Sequence, residues 1–348
     1  MAQFRFSVAP WNVEEGMDMY GPAVRDPIPL SEKLREFSSL GFDAVQFHDD
    51  DIVADIDDAS ARRITEAAAE TRRMVEDNGL EVESVAPRLW ESRFTVDGAL
   101  TSSEPGEREY ALDRAYKAVD LAREMGTDLV SFWFAREGTV CPESKDTREG
   151  VVRIRESINK LLEYDEEIRI SIEPKPYQPT DHSFVPTAGH AVALANQTSD
   201  PARVGVLVNS AHAILGNLDP AEELAFTMAC GRVFSVHLND QGGPKFEQHK
   251  VFGVEHLRRA FNQIRVLVEN GYGSRGEFVG VDARAMRTQP QDRAFRHLEN
   301  SLRVIRFLEE QARAFDYGKQ KAMIDARDFE ALEMYVMELL TGLPSRGY

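Results

Sequence analysis

Three short apolar stretches decide the fold: RISIEPK at Arg169–Lys175, VGVLVN at Val204–Asn209 and VFSVHLN at Val233–Asn239. Each is rich in β-branched or aromatic residues and ends in polar side chains, as strands buried in a parallel sheet do. Between the last two lies Pro220–Ala229, whose apolar residues recur every three to four positions, as on an amphipathic helix. This alternation predicts repeated βα units.

The same alternation extends along most of the chain. Further strands are predicted at Phe4–Pro10, Asp43–Asp49, Glu81–Pro87, Asp128–Phe134 and Glu277–Asp282. Further helices are predicted at Ser31–Leu40, Ser60–Asn78, Glu107–Met125, Glu149–Glu163, Ala188–Gln197 and Val254–Asn270. Eight such units favour one α/β catalytic domain, a (β/α)8 TIM barrel over residues 1–290. A doubly wound sheet is the main alternative, weakened by the absence of a GxGxxG motif after the first strand.

Capping residues mark three of the predicted helix starts. Ser31, Thr187 and Asp219 each precede a segment of helical period, and Pro220 suits a first turn. Residues 291–348 are predicted to form a short C-terminal helical extension, with helices at Gln291–Ala314 and Asp328–Leu340. The last of these is apolar almost all round, so we expect its own barrel or a neighbouring subunit to cover it.

Charge and composition exclude several classes of protein. The 348 residues include 41 Lys and Arg against 59 Asp and Glu, a net charge of −18 with no basic tract, which argues against nucleic acid as a partner. The opening residues lack a basic stretch followed by an apolar one, and no apolar run approaches the roughly 20 residues that span a bilayer, so we expect neither a secretory leader nor a membrane span. Cys141 and Cys230 have no CxxC partner, consistent with a reducing compartment. We expect a cytoplasmic protein without membrane contact.

Residues with metal-binding or acid–base chemistry stand at the strand ends. Glu173, Asn209, His237 and Asp282 lie at or near the ends of four successive predicted strands. In barrels of this kind the C-terminal strand ends meet on one face, which carries the active site. The four side chains would form a mixed oxygen and nitrogen cage for a divalent cation, most suitably Mn²⁺, with Mg²⁺ or Co²⁺ as alternatives.

Five motifs then make the chain recognisable. They are FHDDD (47–51), WxxREG (133–138), IEPKP (172–176), PTAGHA (186–191) and HLNDQGGPKFEQHKVFG (237–253). In this order and spacing the chain resembles the xylose isomerases over roughly residues 4–316. The resemblance implies a TIM barrel and a two-metal sugar site. It also implies a His–Asp pair that assists ring opening and a lysine that polarises the open-chain sugar.

The resemblance assigns roles to residues by their position. It makes His48 and Asp51 the His–Asp pair, Lys175 the polarising lysine and Trp133 the floor beneath the sugar. It makes Glu173, Asn209, His237 and Asp282 the first metal site and His212, Glu247 and His249 the second.

Several of these positions depart from the family. Asn209 replaces a carboxylate that bridges both metals, His237 replaces an aspartate, and Glu247 and His249 replace two aspartates. Losing the bridging carboxylate disfavours a clamp of two cations. With one cation, proton abstraction beside a carbonyl is the less demanding chemistry. The candidate bases are His48, His212 and His249.

The residues leave some roles open. Asn209 is either a ligand or a hydrogen-bonding neighbour of the ligands, since a neutral amide is a weak ligand for a hard cation. The second-site residues are a metal remnant, a base or a solvated loop, with Glu247 also a substrate contact. Among the predicted substrate contacts, Ala9 stands where the pentose isomerases have a tryptophan, although Trp11 follows closely, and Trp90 stands near their phenylalanine. A substrate bulkier than a pentose is therefore expected.

Three functions follow from this pattern. The first is a metal-dependent lyase that enolises an oxidised sugar or glycoside and releases a substituent, such as C–C cleavage of a 3-keto C-glycoside. Relatives of this sort form the larger subunit of C-glycoside deglycosidases, so the resemblance implies an oligomer with a small β-rich partner subunit. The alternatives are an aldose–ketose isomerase or epimerase acting on a free sugar, and a non-catalytic sugar-binding barrel.

Overall fold

Ten strands are present in the computed structural model, which describes residues 4–18 and 20–344. They are β1 (Arg5–Val8), β2 (Ala44–His48), β3 (Glu81–Ala86), β4 (Leu129–Trp133), β5 (Gly138–Thr139), β6 (Arg169–Glu173), β7 (His182–Ser183), β8 (Val204–Asn209), β9 (Val233–Leu238) and β10 (Phe278–Val281). All but β5 and β7 form a closed barrel in chain order, in which β10 pairs with β1. Every barrel pair is parallel, so the predicted (β/α)8 TIM barrel is confirmed.

Helices connect the strands and cover the outside of the barrel. They are α1 (Leu30–Leu40), α2 (Asp49–Ile52), α3 (Ala61–Asp77), α4 (Pro105–Met125), α5 (Thr147–Tyr164), α6 (Ala188–Ala195), α7 (Ser210–Leu215), α8 (Pro220–Ala229), α9 (Leu257–Glu269), α10 (Arg296–Ala314), α11 (Tyr317–Ala326) and α12 (Phe329–Thr341). Apolar residues of the strands and of the helix faces that pack on them form one continuous core. Among the described residues, none of these helices combines the length and apolar character that a bilayer crossing requires.

Two of the three predicted helix caps are present. The Thr187 and Asp219 side chains accept hydrogen bonds from the first turns of α6 and α8. Ser31 does not cap α1, because the helix begins at Leu30 and the Pro29 carbonyl accepts the N–H groups of Glu32 and Lys33. The prediction for Ser31 is therefore wrong by two positions.

The WxxREG motif builds part of the barrel mouth. The buried Glu137 carboxylate accepts the backbone N–H groups of residues 99–101, so it fixes the loop that follows β3. Gly138 pairs with Ser183 in the short antiparallel ribbon of β5 and β7. A Cβ at Gly138 would lie 2.2 Å from the His182 carbonyl oxygen, so only glycine fits there. This ribbon lies directly beyond the strands that supply Trp133 and Glu173.

The C-terminal extension contains three helices where the pattern predicts two. The missed helix, α11, is largely polar, and Met323 is its one buried residue, so it has no apolar stripe to reveal it. In α12, Tyr335, Val336 and Leu340 are buried in the core cluster of the same chain, while Phe329 stays 57% exposed. The chain's own residues thus cover one face of this helix.

Candidate active site

Most of the predicted site residues meet in one cavity of about 390 Å³ at the C-terminal ends of the barrel strands. The predicted residues that line it are His48, Trp90, Trp133, Glu173, Lys175, His212, His237, Glu247, His249 and Asp282. Ala9, Asp51 and Asn209 lie outside its lining in the described chain. A cavity of this size suits a ligand the size of a monosaccharide derivative.

Two carboxylates and one imidazole face each other on the floor of this cavity; we call Glu173, His237 and Asp282 the axial cage. His237 Nδ1 lies 3.5 Å from Glu173 Oε1 and 3.9 Å from Asp282 Oδ2. This nitrogen is buried and has no hydrogen-bond partner among residues 4–18 and 20–344. A buried ring nitrogen without a partner, opposite two carboxylates, is a donor arrangement that a cation completes.

A hydrogen-bond chain inside the barrel fixes the orientation of His237. The Gln46 amide nitrogen donates to Glu83 Oε2 (2.8 Å) and to Ser7 Oγ (3.2 Å), and Gln46 Oε1 lies 2.8 Å from His237 Nε2. Because the carboxylate of Glu83 needs a donor, the Gln46 oxygen is left to accept the Nε2–H of His237. The ring therefore presents Nδ1 to the cage, supported by the kind of outer hydrogen bond that metal-binding histidines make.

The electrostatics of the axial cage favour a positive charge between its carboxylates. Burial opposes a charged His237, but contact with Glu173 and the charge of Asp282 raise the pKa of His237 to about 9. Burial also opposes an ionised Asp282, yet His249 and His237 hold the pKa of Asp282 below its ordinary value. Without metal the cage holds a proton, and a divalent cation fits the same donors by displacing it.

Asn209 holds the cage carboxylates instead of presenting its oxygen to them. Its Oδ1 caps α7 by accepting the N–H groups of Ala211 (3.0 Å) and His212 (3.3 Å). Its Nδ2 donates to Glu173 Oε1 (2.9 Å) and Asp282 Oδ2 (3.0 Å). Since the oxygen is engaged by the helix, the geometry differs from the predicted metal ligand and matches a positioning residue.

Asp282 receives hydrogen bonds from three more residues. Trp11 Nε1 and Asn12 Nδ2 donate to Oδ1, each at 3.2 Å, and Asn239 Nδ2 donates to Oδ2 at 3.2 Å. Neither Trp11 nor Asn12 is among the residues that the sequence motifs assign to the metal site. Their signal was available, since both follow the end of β1 as the other site residues follow their strands.

A second group lies beside the cage; we call Lys175, His212, Glu247 and His249 the lysine–glutamate cluster. Glu247 is its centre: Oε2 lies 2.8 Å from Lys175 Nζ and 3.0 Å from His249 Nε2, and Oε1 lies 2.6 Å from His212 Nε2. Lys175 Nζ also lies 4.7 Å from the centre of the Trp133 ring. The carboxylate is thus surrounded by cationic and imidazole groups of the same chain.

Backbone carbonyls orient both imidazoles of the lysine–glutamate cluster. Nδ1 of His212 lies 3.1 Å from the Pro174 oxygen, and Nδ1 of His249 lies 3.1 Å from the Asp282 oxygen. Both rings therefore turn Nε2 towards Glu247.

The charges of the lysine–glutamate cluster shift the pKa values of its members. Burial and Arg284 oppose a charged His249, but Glu247 and Asp282 raise the pKa of His249 to about 9. Burial opposes an ionised Glu247, yet His249, Lys175 and His212 hold the pKa of Glu247 well below its ordinary value.

His48 contacts Arg88 rather than the predicted partner Asp51. Arg88 Nη2 lies 2.8 Å from His48 Nδ1, whereas Asp51 Oδ2 lies 3.6 Å from it and accepts the backbone N–H of His48 at 2.9 Å. The side chains of the predicted His–Asp pair are therefore not hydrogen-bonded to each other. Burial raises the pKa of Asp51 to about 6, although the His48 N–H and Arg88 oppose this.

His48, Asp50 and Asp51 also form a group whose ligand atoms lie within 4.8 Å of one another. The Arg88 guanidinium contacts all three, with Nε 2.9 Å from Asp50 Oδ1 and Nη2 3.8 Å from Asp51 Oδ1. A cation of the protein already neutralises this group. The axial cage differs, because its carboxylates meet no lysine or arginine at this range among the described residues.

All three tryptophans of the chain line the cavity. Trp90 and Trp133 pack edge to face with ring centres 4.6 Å apart, and Trp11 lies 4.1 Å from the His48 ring. Trp11, two positions after Ala9, thus supplies an indole to the cavity wall. Ala9 is buried behind it, with its N–H bonded to Asn12, so the geometry differs from the predicted contact of Ala9 with substrate.

A larger cavity of about 810 Å³ opens at the opposite end of the barrel. Its arginines are already paired with acids: Arg169 with Asp128 (2.6 Å) and Arg275 with Glu277 (2.8 Å). These exposed pairs need no ligand to balance them, and we regard this end as structural.

Known proteins that resemble the chain identify its family. The family model described as "Xylose isomerase-like TIM barrel" matches residues 34–286. The chain belongs to this family. A xylose isomerase of Thermus thermophilus is 31% identical over 326 residues, which cover 90% of this chain and 81% of that protein.

Solved structures add similarity of fold alone, because their sequences are distant. A D-psicose 3-epimerase of Clostridium cellulolyticum, solved with D-tagatose, superimposes with a TM-score of 0.63 at 14% identity, covering 88% of this chain and 99% of the other. A 3-keto-D-glucoside 4-epimerase of E. coli gives 0.63 at 15% identity, covering 87% and 99%.

Proposed function

We propose that the protein is a divalent-metal-dependent isomerase or epimerase that moves a proton next to the carbonyl group of a sugar. The observation that carries this proposal is the juxtaposition of two unlike groups in one cavity. The axial cage has donors for a cation, and the lysine–glutamate cluster beside it has an ionised carboxylate that Lys175 holds by one oxygen, while the other, Glu247 Oε1, has no hydrogen-bond partner among the described residues.

Glu247 acts as the base in this proposal. Its low pKa keeps it ionised at neutral pH, and it lines the cavity. Its Oε1 has no hydrogen-bond partner among the described residues and so has a lone pair free for a proton, with His212 Nε2 2.6 Å away. Lys175 Nζ holds Glu247 at 2.8 Å and is placed to donate to a substrate oxygen, in keeping with general acid–base catalysis by positioned side chains.

Glu173, His237 and Asp282 would hold the cation, which when bound supplies Lewis-acid polarisation of the carbonyl oxygen. Trp90 and Trp133 line the cavity and supply apolar surface for the C–H groups of a sugar. The buried Trp133 Nε1–H has no partner among the described residues, so it is available to a hydroxyl. The named activities of the relatives, xylose isomerase and 3-epimerase, are both sugar rearrangements and agree with this chemistry.

The proposal is tested by solvent exchange. The purified protein, supplied with Mn²⁺ and incubated in D₂O with a panel of free and oxidised sugars, is expected to place deuterium on the carbon next to the carbonyl, as seen by proton NMR. Treatment with a chelator and Glu247→Gln should each abolish the exchange. The matched control is Glu255→Gln, which removes a carboxylate paired with Lys250 nearby in the chain and should exchange like the wild type.

Exchange that survives Glu247→Gln at the wild-type rate would remove Glu247 as the base. Absence of exchange with every sugar, in protein that holds its metal, would favour the non-catalytic sugar-binding barrel. Loss of a substituent from a 3-keto C-glycoside by lyase-type cleavage stays a prediction, because enolisation is the first step of either reaction.

A further inference from the structure

The environment of His48 determines what this residue can do in the cavity. The ring stands at the end of β2 and is 8% exposed. It lies against Trp11, with ring centres 4.1 Å apart, and edge to face with Trp90 at 5.3 Å. These contacts leave one edge of the ring, that of Nε2, to the cavity, while Nδ1 faces Arg88.

The contact with Arg88 decides which nitrogen carries the proton. An arginine side chain has only donors and does not lose its proton in proteins. At 2.8 Å, Arg88 Nη2 must therefore donate to His48 Nδ1, which has to offer a lone pair. A neutral imidazole with a bare Nδ1 carries its hydrogen on Nε2, so His48 presents an N–H donor to the cavity.

Arg88 is held firmly enough to keep this arrangement. Its Nε donates to Asp50 Oδ1 at 2.9 Å and its Nη1 to Glu91 Oε1 at 3.1 Å. Asp51 does not compete for Nδ1, because its Oδ2 is engaged by the backbone N–H of His48. Burial, and then the charge of Arg88, hold the pKa of His48 well below its ordinary value, so the ring is neutral at physiological pH.

We infer that His48 donates a hydrogen bond to the substrate's carbonyl oxygen and that the substrate is a sugar oxidised at a ring carbon, whose carbonyl is present while the ring stays closed. A closed aldose needs a base to take its hydroxyl proton and open the ring. The resemblance to the xylose isomerases assigns that task to His48, whose one lone pair is taken by Arg88. The inference rests on the proposed function and specifies its substrate class.

Residues that line the cavity can accept and donate every proton that the enolisation moves. Glu247 takes the proton from the carbon next to the carbonyl, the C–H electron pair becomes the C=C bond, and the carbonyl π pair moves to oxygen. That oxyanion accepts the Nε2–H of His48. Return of the proton to the same carbon on its opposite face re-forms the carbonyl and gives the epimer. Return to the carbon of the former carbonyl gives the isomer when the proton of the neighbouring hydroxyl moves to the oxyanion, so that the new carbonyl forms at the neighbouring carbon; neither route needs an external oxidant.

The test compares two substitutions of His48 on two substrates. The probes are a methyl 3-keto-glucoside, whose ring cannot open, and free D-xylose, with deuterium exchange as the readout. With the keto glycoside, His48→Gln keeps an N–H donor and should lose about tenfold or less, whereas His48→Leu should lose about a hundredfold or more. A base at His48 would make both variants equally inactive, and that result would overturn the inference.

The position of the proton on the His48 ring can be measured independently of activity. Nitrogen-15 NMR of the imidazole should show Nδ1 bare and Nε2 protonated in the wild type. Arg88→Met, which removes the donor but keeps an apolar stem, should change this signature. The opposite tautomer in the wild type, with Nδ1 protonated, would contradict the inference whatever the activity of the variants.

The outcomes separate the inference from the proposed function. Faster exchange with the keto glycoside than with D-xylose supports both. Faster turnover of D-xylose, with His48→Gln inactive, overturns the substrate class and leaves a sugar isomerase. No exchange with either sugar, in protein that retains metal and the Nε2–H tautomer, overturns both the proposed function and the inference that rests on it.

Discussion

The axial cage and the lysine–glutamate cluster share one cavity floor but balance their charges differently. In the cage, the Nδ1 of His237 has no hydrogen-bond partner among the described residues and faces two carboxylates. These carboxylates also approach the imidazoles of the cluster, with Glu173 Oε1 3.5 Å from His212 Nδ1 and Asp282 Oδ2 3.2 Å from His249 Nδ1. In the cluster, one carboxylate meets Lys175 and two imidazoles within 3.0 Å. Neither cage carboxylate pairs with a lysine or arginine among the described residues, whereas the carboxylate of the cluster pairs with Lys175. We therefore propose the cage as the metal site and the cluster as the site of proton transfer.

Glu247→Gln should have the largest effect, because it removes the proposed base and leaves the axial cage unchanged. Removing the only carboxylate of the cluster takes away the proposed base and leaves Lys175 and two imidazoles facing one another. We expect kcat to fall by about 10²- to 10³-fold, in the range of positioned acid–base groups. Metal content, measured on the same preparation, should stay at the wild-type level. Loss of metal together with activity would show that the cluster is a cation site.

His297 offers a prediction on pH, because it supports the cage from α10. Its Nε2 lies 2.8 Å from the carbonyl oxygen of Asn12, whose side chain donates to Asp282. Burial lowers the pKa of His297 to about 4. The unfolded chain binds this proton near the ordinary histidine pKa of about 6.5, so between these values the unfolded state holds more protons.

Stability should therefore fall as the pH drops through this window. The His297 contribution lost is about 3 kcal/mol in the free energy of unfolding, at 1.36 kcal/mol per pKa unit. Urea unfolding at pH 7 and pH 4.5 measures it. His297→Gln keeps a donor to Asn12 but does not titrate, so its stability should depend less on pH than that of the wild type. Equal pH dependence of the two proteins would refute the assignment.

Gln46→Leu should have a smaller effect, confined to the cage. It removes the acceptor that fixes His237 Nε2–H and frees the ring to turn. We expect Mn²⁺ affinity to fall by about 10- to 100-fold, as for other outer hydrogen bonds of metal ligands. Ser131→Ala is the matched control, since it also changes a buried polar residue of the barrel interior but contacts Ser171 instead. An unchanged affinity in Gln46→Leu would mean that packing alone positions His237.

The barrel could be predicted from the sequence because the alternation of strand and helix patterns is encoded by residues that are neighbours in the chain. Strand runs such as Val204–Asn209 and caps such as Asp219 carry their structure in neighbouring residues. Strand-end position likewise brought Glu173 and Asp282 together, since parallel strands of a barrel end on one face. The sequence therefore predicted which side chains lie on the C-terminal face of the barrel.

Pairings across the barrel could not be read in the same way. Arg88 replaces Asp51 as the partner of His48 through a contact between residues 40 positions apart, and Gln46 reaches His237 across 191 positions. Asn209 stands at the expected strand end, but α7 directly after it takes up its oxygen. These hydrogen-bond partners depend on the tertiary structure, which the spacing of apolar residues along the sequence does not reveal.

The central claim, one cation in the axial cage and none in the lysine–glutamate cluster, is tested most directly by metal content. Elemental analysis of the protein dialysed after Mn²⁺ loading should give about one ion per chain, lost in His237→Ala and kept in His249→Ala. Two ions per chain, one lost with each substitution, or a single ion that disappears in His249→Ala, would contradict it.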